Sequence, residues 1–188
     1  IVVDAGAPDL LSNRVPPQVL ITPHAAELAR LLQRLGEDVD VDDVLAEPWR
    51  CARRAHALTG ATVLLKGAVT ILVGEEDGEE RTILSGAAPA WLSTAGAGDV
   101  LAGMLGALLA QNTPDTPHTD TSTVEIAAVG AYLHGLAAGL AADCEQRGWS
   151  APAVYGQHHA EPAPAPGHPI IASDIVAAIP RVFEEVIQ

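Results

Sequence analysis

The segment Gly96-Ala97-Gly98-Asp99-Val100-Leu101 is where this chain spells chemistry most plainly. Two glycines let the backbone fold tightly and turn N–H groups toward an anion, and a helix that starts there adds the positive end of its dipole. Gly96, Ala97 and Gly98 therefore form a candidate anion cradle. The same spelling also serves a plain tight turn. Asp99 adds to the first reading: a carboxylate in a first helical turn is an ordinary favourable cap, but beside a phosphate it could take a proton from a bound hydroxyl. Asp99 is thus the candidate catalytic base. A dinucleotide fingerprint is rejected, because Leu101 occupies the third glycine position of G-x-G-x-x-G and Asp99 would face the pyrophosphate. A Walker-type P-loop is excluded, since no G-x-x-x-x-G-K-[ST] string occurs.

A second candidate is Lys66-Gly67-Ala68-Val69-Thr70, where one strand ends and the next begins. Its cation and free backbone groups could hold a nucleotide phosphate or ribose; a β-turn with an exposed lysine reads equally well. The third is Thr22-Pro23-His24-Ala25-Ala26-Glu27, at the carboxyl end of a strand, where ligands sit in open α/β sheets. His24 could hydrogen-bond a substrate there, or be a partly exposed first-turn histidine, with Glu27 a helix-opening acid. His56, His118, His134, His158, His159 and His168 show no metal-ligand spacing, so no metal site is assigned. Trp91 could stack on an adenine; closing the core is the preferred reading.

These segments need strands and helices to bring them together. Short apolar, β-branched runs fall at 1–3, 19–22, 62–65, 70–73 and 82–84, with helical patterns between or after most of them. Alternation of this kind predicts an α/β fold, a mostly parallel sheet covered by helices. Runs 70–73 and 82–84 flank the acidic stretch 74–80, read as a solvated hairpin loop, so the sheet gains an antiparallel edge. One helix is predicted after Thr22-Pro23, with Pro23 opening it, Leu28, Leu31, Leu32 and Leu35 on one face, and Gly36 as C-cap. Others are predicted over 42–59, ending at Gly60, over 98–111, and along Ile126, Val129, Leu133, Leu136, Ala137 and Leu140, the last buried on most sides. Residues 112–122 read as a polar linker and about 148–169 as a long mobile loop; Ser173 is expected to cap a final helix, broken or kinked near Pro180.

Composition narrows the classes. The chain has 188 residues and is 48% hydrophobic, enough for one domain with a sizeable core, so residues 1–188 are expected to be a single domain. A net charge of -14 opposes nucleic-acid binding, which depends on Lys and Arg neutralising phosphates. A phosphate-bearing substrate would then have to be attracted locally, by backbone amides, a helix N-terminus and a lysine. No run approaches the eighteen or so consecutive apolar residues of a membrane span and no leader pattern opens the chain, so it is expected to be soluble and cytoplasmic, without membrane partners. Cys51 and Cys144 are expected to be reduced core thiols. Ile1-Val2-Val3-Asp4 reads as a buried strand with no lead, so an N-terminal portion of the natural protein is expected to be absent.

In this order, the strand with Asp4-Ala5, the T-P-H-x-x-E string, the K-G-x-x-T turn, the string Trp91 to Gly103 (W-L-x-T-A-G-x-G-D-V-L-A-G) and the Y-L-H-G helix resemble the ADP-dependent NAD(P)H-hydrate dehydratase family. That resemblance implies a ribokinase-like three-layer αβα fold. It also implies a hydro-lyase that repairs hydrated NADH or NADPH at the cost of a nucleotide phosphoanhydride, ADP going to AMP and phosphate, or ATP in eukaryotic relatives. By the resemblance, His24 and Asp99 contact the hydrated nicotinamide, while Lys66, Gly67, Ala68, Val69, Thr70 and Gly98 bind the adenine nucleotide. Mg²⁺ is the expected companion of such transfer. A homo-oligomer is expected. The chain departs from the family at Ala26, where Gly is common, and at Gly6-Ala7-Pro8, where a second acid and a Leu are usual. Two other readings stay open: a ribokinase-like kinase of a sugar or vitamin alcohol, whose acceptor hydroxyl the same Asp99 would activate, and a non-catalytic nucleotide-binding module.

Overall fold

Three parallel strands side by side, extended by an antiparallel hairpin, form the sheet on which everything else is laid. The computed structural model describes residues 1–11, 14–86, 88–112, 121–144 and 167–186. The strands are β1 Val2–Val3, β2 Leu20–Ile21, β3 Thr62–Leu65, β4 Thr70–Glu76 and β5 Glu79–Ser85, adjacent in chain order. The helices are α1 Ala25–Arg34, α2 Val41–Ala46, α3 Pro48–Thr59, α4 Ala97–Gln111, α5 Thr123–Ala141 and α6 Ala172–Val186, with 3-10 turns at Ala7–Leu10 and Ala90–Leu92.

The strand residues alternate between two apolar layers, as the pleat requires. Ile21, Val63, Leu65, Ile71 and Val73 join Leu28, Leu31 and Leu32 of α1, Val44 of α2, and Cys51, Ala52 and Ala55 of α3. Their neighbours Leu20, Leu64 and Leu72 point to the other face, against Leu101 and Leu105 of α4 and Val124, Ala127 and Ala131 of α5. A sheet buried on both faces between helices is the three-layer αβα arrangement the sequence predicts. Burying each of these Leu, Ile or Val side chains contributes about 1.5–3 kcal/mol. A third cluster, outside the sheet, joins Ala97 of α4, Leu133, Ala137 and Ala138 of α5, and Ile175, Ala178 and Val182 of α6. Helix α5 is long and apolar enough by composition to cross a membrane, yet it packs on β4, β5, α4 and α6 as a core helix.

Several elements differ from their sequence expectations. The acidic stretch 74–80 is mostly strand: β4 and β5 run on to the pair Glu76 and Glu79, leaving Asp77-Gly78 as the turn. Both turn residues have positive φ (52° and 81°), the two-residue geometry that Asp-Gly favours and that matches strand twist. The helix predicted over 42–59 is two helices, because Pro48 lacks an N–H and Glu47 before it leaves the helical region (φ -132°, ψ 58°). Pro23 does not open α1; His24 is its N-cap and Ala25 its first residue. Gly36 follows the C-cap Leu35, and the bonds Gly36 N–H to Gln33 O (3.0 Å) and Glu37 N–H to Leu32 O (3.0 Å) close a Schellman motif.

Ser173 lies inside α6, not at its cap; the Asp174 carboxylate accepts from the Ile171 N–H (2.9 Å). Helix α6 is not broken at Pro180, which lies on an exposed face where the carbonyl it leaves unpaired can meet water. Trp91 is 36% exposed rather than in the core, because its 3-10 turn lies at the surface. Cys51 is a buried thiol and Cys144 a half-buried one. Helix α5 is largely buried, with Val129 and Tyr132 exposed. Most of the linker expected over 112–122 (residues 113–120) and of the loop expected over about 148–169 (residues 148–166) lies outside the described residues.

Candidate active site

Each parallel strand hands the chain to a polar residue at its carboxyl end: Asp4 after β1, Thr22 after β2 and Lys66 after β3. The parallel register, Val3 beside Ile21 and Ile21 beside Val63, sets the three ends side by side. Asp4 Oδ1 accepts from the Thr22 hydroxyl at 2.6 Å and from Lys66 Nζ at 3.0 Å. Glu27 Oε2, from α1, lies 3.8 Å from the same ammonium. Lys66 is thus shared by two carboxylates, which leaves the group one negative charge in excess before any ligand arrives.

Burial pushes the Asp4 carboxyl up, but hydrogen bonds from Thr22, the Ala5 backbone and Lys66, with the lysine's charge, outweigh it and hold Asp4 below the ordinary carboxylate value. Ala5 adopts a left-handed conformation (φ 54°), an uncommon geometry for a residue with a Cβ, and its N–H faces the Asp4 carboxylate. His24 and Glu27 form a reciprocal cap: His24 Nδ1 accepts from the Ala26 and Glu27 amides (3.1 and 3.3 Å), and Glu27 Oε2 accepts from the His24 amide (2.8 Å). The His24 ring stays half-exposed, with Nε2 3.5 Å from Glu27 Oε1. A parallel bridge between His24 and Lys66, with Lys66 N–H donating to Pro23 O (2.8 Å), ties this helix start to the lysine.

Helix α4 opens directly against this group. A Cβ built on Gly98 would stand 3.6 Å from Lys66 Nζ and 4.0 Å from Asp4 Oδ2. The N-cap Gly96 holds φ +83° and supplies no side chain to the free amides; a Cβ there would also press to 3.1 Å from the Ala172 methyl at the start of α6. The first-turn amides of Gly98 and Asp99 have no intrahelical carbonyl and are free to meet an anion. Asp99 is exposed on that first turn.

His134 of α5 is 4% exposed, and its Nε2 has no partner. Burial pushes its pKa down to about 4, so the ring is neutral at pH 7.

The structure therefore brings Lys66, Gly98 and His24 of the predicted set to one edge of the sheet, with Gly96 and Ala97 beside them. Gly67 and Ala68 are exposed on the turn into β4, followed by half-buried Val69 and Thr70. Among the described residues, no hydrogen bond or ion pair links Asp99 to His24. Sequence reasoning missed Asp4, Thr22 and Glu27 as the partners that fix Lys66, although a polar residue right after each apolar strand was a readable signal. It also missed His134, for which an isolated histidine in an apolar helix gave no direction.

Comparison with known proteins gives a consistent answer. The model of the NAD(P)H-hydrate dehydratase family matches residues 1–156. The chain is 41% identical over 146 residues to the ADP-dependent (S)-NAD(P)H-hydrate dehydratase of Neisseria meningitidis serogroup B, covering 73% of this chain and 44% of that protein. It is 44% identical over 138 residues to the bifunctional NAD(P)H-hydrate repair enzyme Nnr of Mycobacterium leprae, covering 73% of this chain and 25% of that one. The crystal structure of the ADP/ATP-dependent NAD(P)H-hydrate dehydratase from Bacillus subtilis, co-crystallized with ATP/Mg²⁺ and soaked with CoA, superposes with a TM-score of 0.66 at 24% identity, covering 98% of this chain and 55% of that one. That likeness bears out the ribokinase-like α/β fold. The chain spans about half the length, or less, of the relatives it matches.

Proposed function

The chain belongs to the NAD(P)H-hydrate dehydratase family, and on that premise we propose that it acts in the ADP-dependent dehydration of hydrated NADH and NADPH, yielding NAD(P)H, AMP and phosphate. Residues 1–188 would serve as one ribokinase-like nucleotide-binding domain of a cytoplasmic enzyme. The observation that carries the reading is the approach of Gly98 to Lys66 and Asp4, which sets free helix amides beside a cation at the carboxyl edge of the sheet. Free amides and an ammonium group are what a phosphate-bearing ligand needs in a chain of net charge -14.

In this reading the adenine nucleotide lies along Lys66, Gly67, Ala68, Val69 and Thr70, with its phosphates toward Gly98, and the hydrated nicotinamide lies by His24 and Asp99. Asp99 takes the proton of the substrate hydroxyl as its oxygen attacks the terminal phosphoryl group of ADP, and the bond to the leaving AMP breaks. The free amides of Gly98 and Asp99 hold the charge that builds on the phosphoryl oxygens, the Ala97 N–H being taken by Thr94 O (3.3 Å). The phosphorylated oxygen then departs as phosphate: its C–O bond breaks, the neighbouring ring carbon gives up a proton to the departing phosphate or to water, and the C–H electron pair forms the nicotinamide double bond. Lys66, already held by Asp4 and Glu27, needs little reorganisation to meet the nucleotide.

Mg²⁺ would travel with the nucleotide phosphates. Among the described residues, no group of three or more His, Cys, Asp or Glu could hold a metal. An ion bound mainly by phosphates and water needs only one or two carboxylates, and Asp4 and Glu27 are the ones at this edge. It would shield phosphate charge there.

The test is turnover of hydrated NADH with ADP and Mg²⁺, read by mass spectrometry, for the chain and for a version extended at its N-terminus to its relatives' length. NADH, AMP and phosphate in equal amounts are expected. An extended version that binds nucleotide but leaves the hydrate untouched overturns the dehydratase reading in favour of a kinase or a binding module.

A further inference from the structure

The fold uses only one of the two ring nitrogens of His24. As N-cap of α1, the side chain takes the Ala26 and Glu27 amides on Nδ1, at 3.1 and 3.3 Å. A backbone amide can only donate, so Nδ1 offers its lone pair and carries no proton. The capped ring is therefore the tautomer protonated at Nε2, and its second nitrogen is an N–H with no lone pair to give. In this cap His24 can neither take a proton from a ligand nor hold a metal ion.

The donor is fixed in place as well as in kind. Glu27 completes the cap by accepting from the His24 amide (2.8 Å), and the bridge to Lys66, with Lys66 N–H donating to Pro23 O (2.8 Å), pins the backbone on the other side. Glu27 Oε1 stands 3.5 Å from Nε2, at the far limit of a hydrogen bond, while its charge favours the proton on that nitrogen. The side chain is 51% exposed, so Nε2–H is open to a ligand at the sheet edge. Capping alone gives no reason for an imidazole, because Ser, Thr, Asp and Asn are the preferred N-caps and Asn would place an acceptor at the same distance from Cβ as Nδ1. What the histidine adds is the outward Nε2–H.

We propose that His24 is a specificity-determining residue whose cap-locked Nε2–H donates to the carboxamide oxygen of the hydrated nicotinamide. The inference rests on the reading that the hydrate lies by His24 and Asp99. That ring carries two substituents that can hydrogen-bond: the hydroxyl, whose proton goes to Asp99, and the carboxamide, with an oxygen that accepts and an NH₂ that donates. A nitrogen that only donates selects the oxygen, and so fixes which way the ring lies against Asp99. The same tautomer leaves Asp99 as the one member of the pair that can take the hydroxyl's proton.

Two measurements test this. Ring ¹⁵N spectra of the chain in mildly alkaline buffer are expected to show His24 protonated at Nε2; an Nδ1–H tautomer overturns the proposal without any variant. The second compares NADH, the product, with its thionicotinamide analogue, whose sulfur is a poor acceptor, on the version extended at its N-terminus. The extended wild type is expected to bind NADH about tenfold more tightly than the analogue. In H24N the Asn oxygen still caps α1, so Tm and exchange of the Ala26 and Glu27 amides stay near wild type, while the preference falls below about twofold. A wild type that binds the two equally, or the same preference in H24N as in wild type, overturns the proposal and leaves the dehydratase reading intact where hydrated NADH is turned over. If the extended wild type binds neither NADH nor its hydrate, the placing of the hydrate by His24 falls, the role toward the carboxamide falls with it, and only the cap-locked tautomer stands.

Discussion

Lys66 Nζ lies 3.0 Å from Asp4 Oδ1, so that a cation at the end of β3 and an acid at the end of β1, 62 residues apart in the chain, form one group with the Thr22 hydroxyl between them. Neither is spare. The Thr22 hydroxyl, the Ala5 backbone and the lysine together hold the acid below its ordinary value against burial, and the acid keeps the lysine over the opening of α4.

Lys66→Met is expected to leave Asp4 and Glu27 without their shared counter-charge. With both partners partly exposed, the loss of stability should be about 1–2 kcal/mol, and the Asp4 carboxyl should rise toward its ordinary value. Chemical denaturation and carboxylate NMR titration would check this; an unchanged Asp4 titration would contradict the geometry. Because the folded Asp4 titrates below its unfolded value, its contribution is present above that unfolded value and is lost as pH falls.

Asp99→Asn keeps the shape of the first turn and removes the proposed base. Turnover of hydrated NADH should fall by about 10²–10⁴-fold with the Kd for ADP within about threefold. Steady-state kinetics on the extended protein with calorimetry for ADP separates the two, and undiminished turnover would remove Asp99 as the base.

His134 predicts a pH dependence of stability whose sign is fixed. Its folded pKa of about 4 lies below the ordinary 6.5, so the unfolded chain takes up the proton first. Stability is fully present above about pH 6.5 and declines as pH falls toward 4, by on the order of 3 kcal/mol from this group. Denaturation curves between pH 4 and 7 should be flatter for H134L than for wild type by that amount. Parallel curves would show that the ring is not buried neutral.

Gly74 of β4 lies under the start of α5, where an added Cβ would stand 2.8 Å from Val124 Cβ and 2.9 Å from Thr62 Oγ1. Val124 Cβ is fixed to its backbone and cannot swing away. Gly74→Ala should therefore cost about 1–3 kcal/mol and lower Tm by several degrees. Calorimetry would read it, and a variant as stable as wild type would mean that α5 does not approach the sheet so closely.

By itself the sequence determined the layers and singled out the segments of the candidate site. Apolar runs of strand length between helical periods prescribe a sheet buried on both faces, and Gly96-Ala97-Gly98-Asp99 prescribes a glycine-opened helix start, because both signals are local. Where a strong local rule was overlooked, the boundaries were wrong: Asp77-Gly78 is a two-residue hairpin turn, and Pro48 divides one expected helix into two.

Only the tertiary structure decided which pieces meet. Parallel pairing brings the ends of β1, β2 and β3 to one edge, so Asp4, Thr22 and Lys66 become one charged group although nothing in their spacing says so. The packing of α5 against α4, β4 and α6 likewise buries His134, a lone polar residue in an apolar helix. Hydrogen bonds and ion pairs act over about 3–4 Å, and chain spacing cannot report such a distance until the sheet register and the helix packing are set.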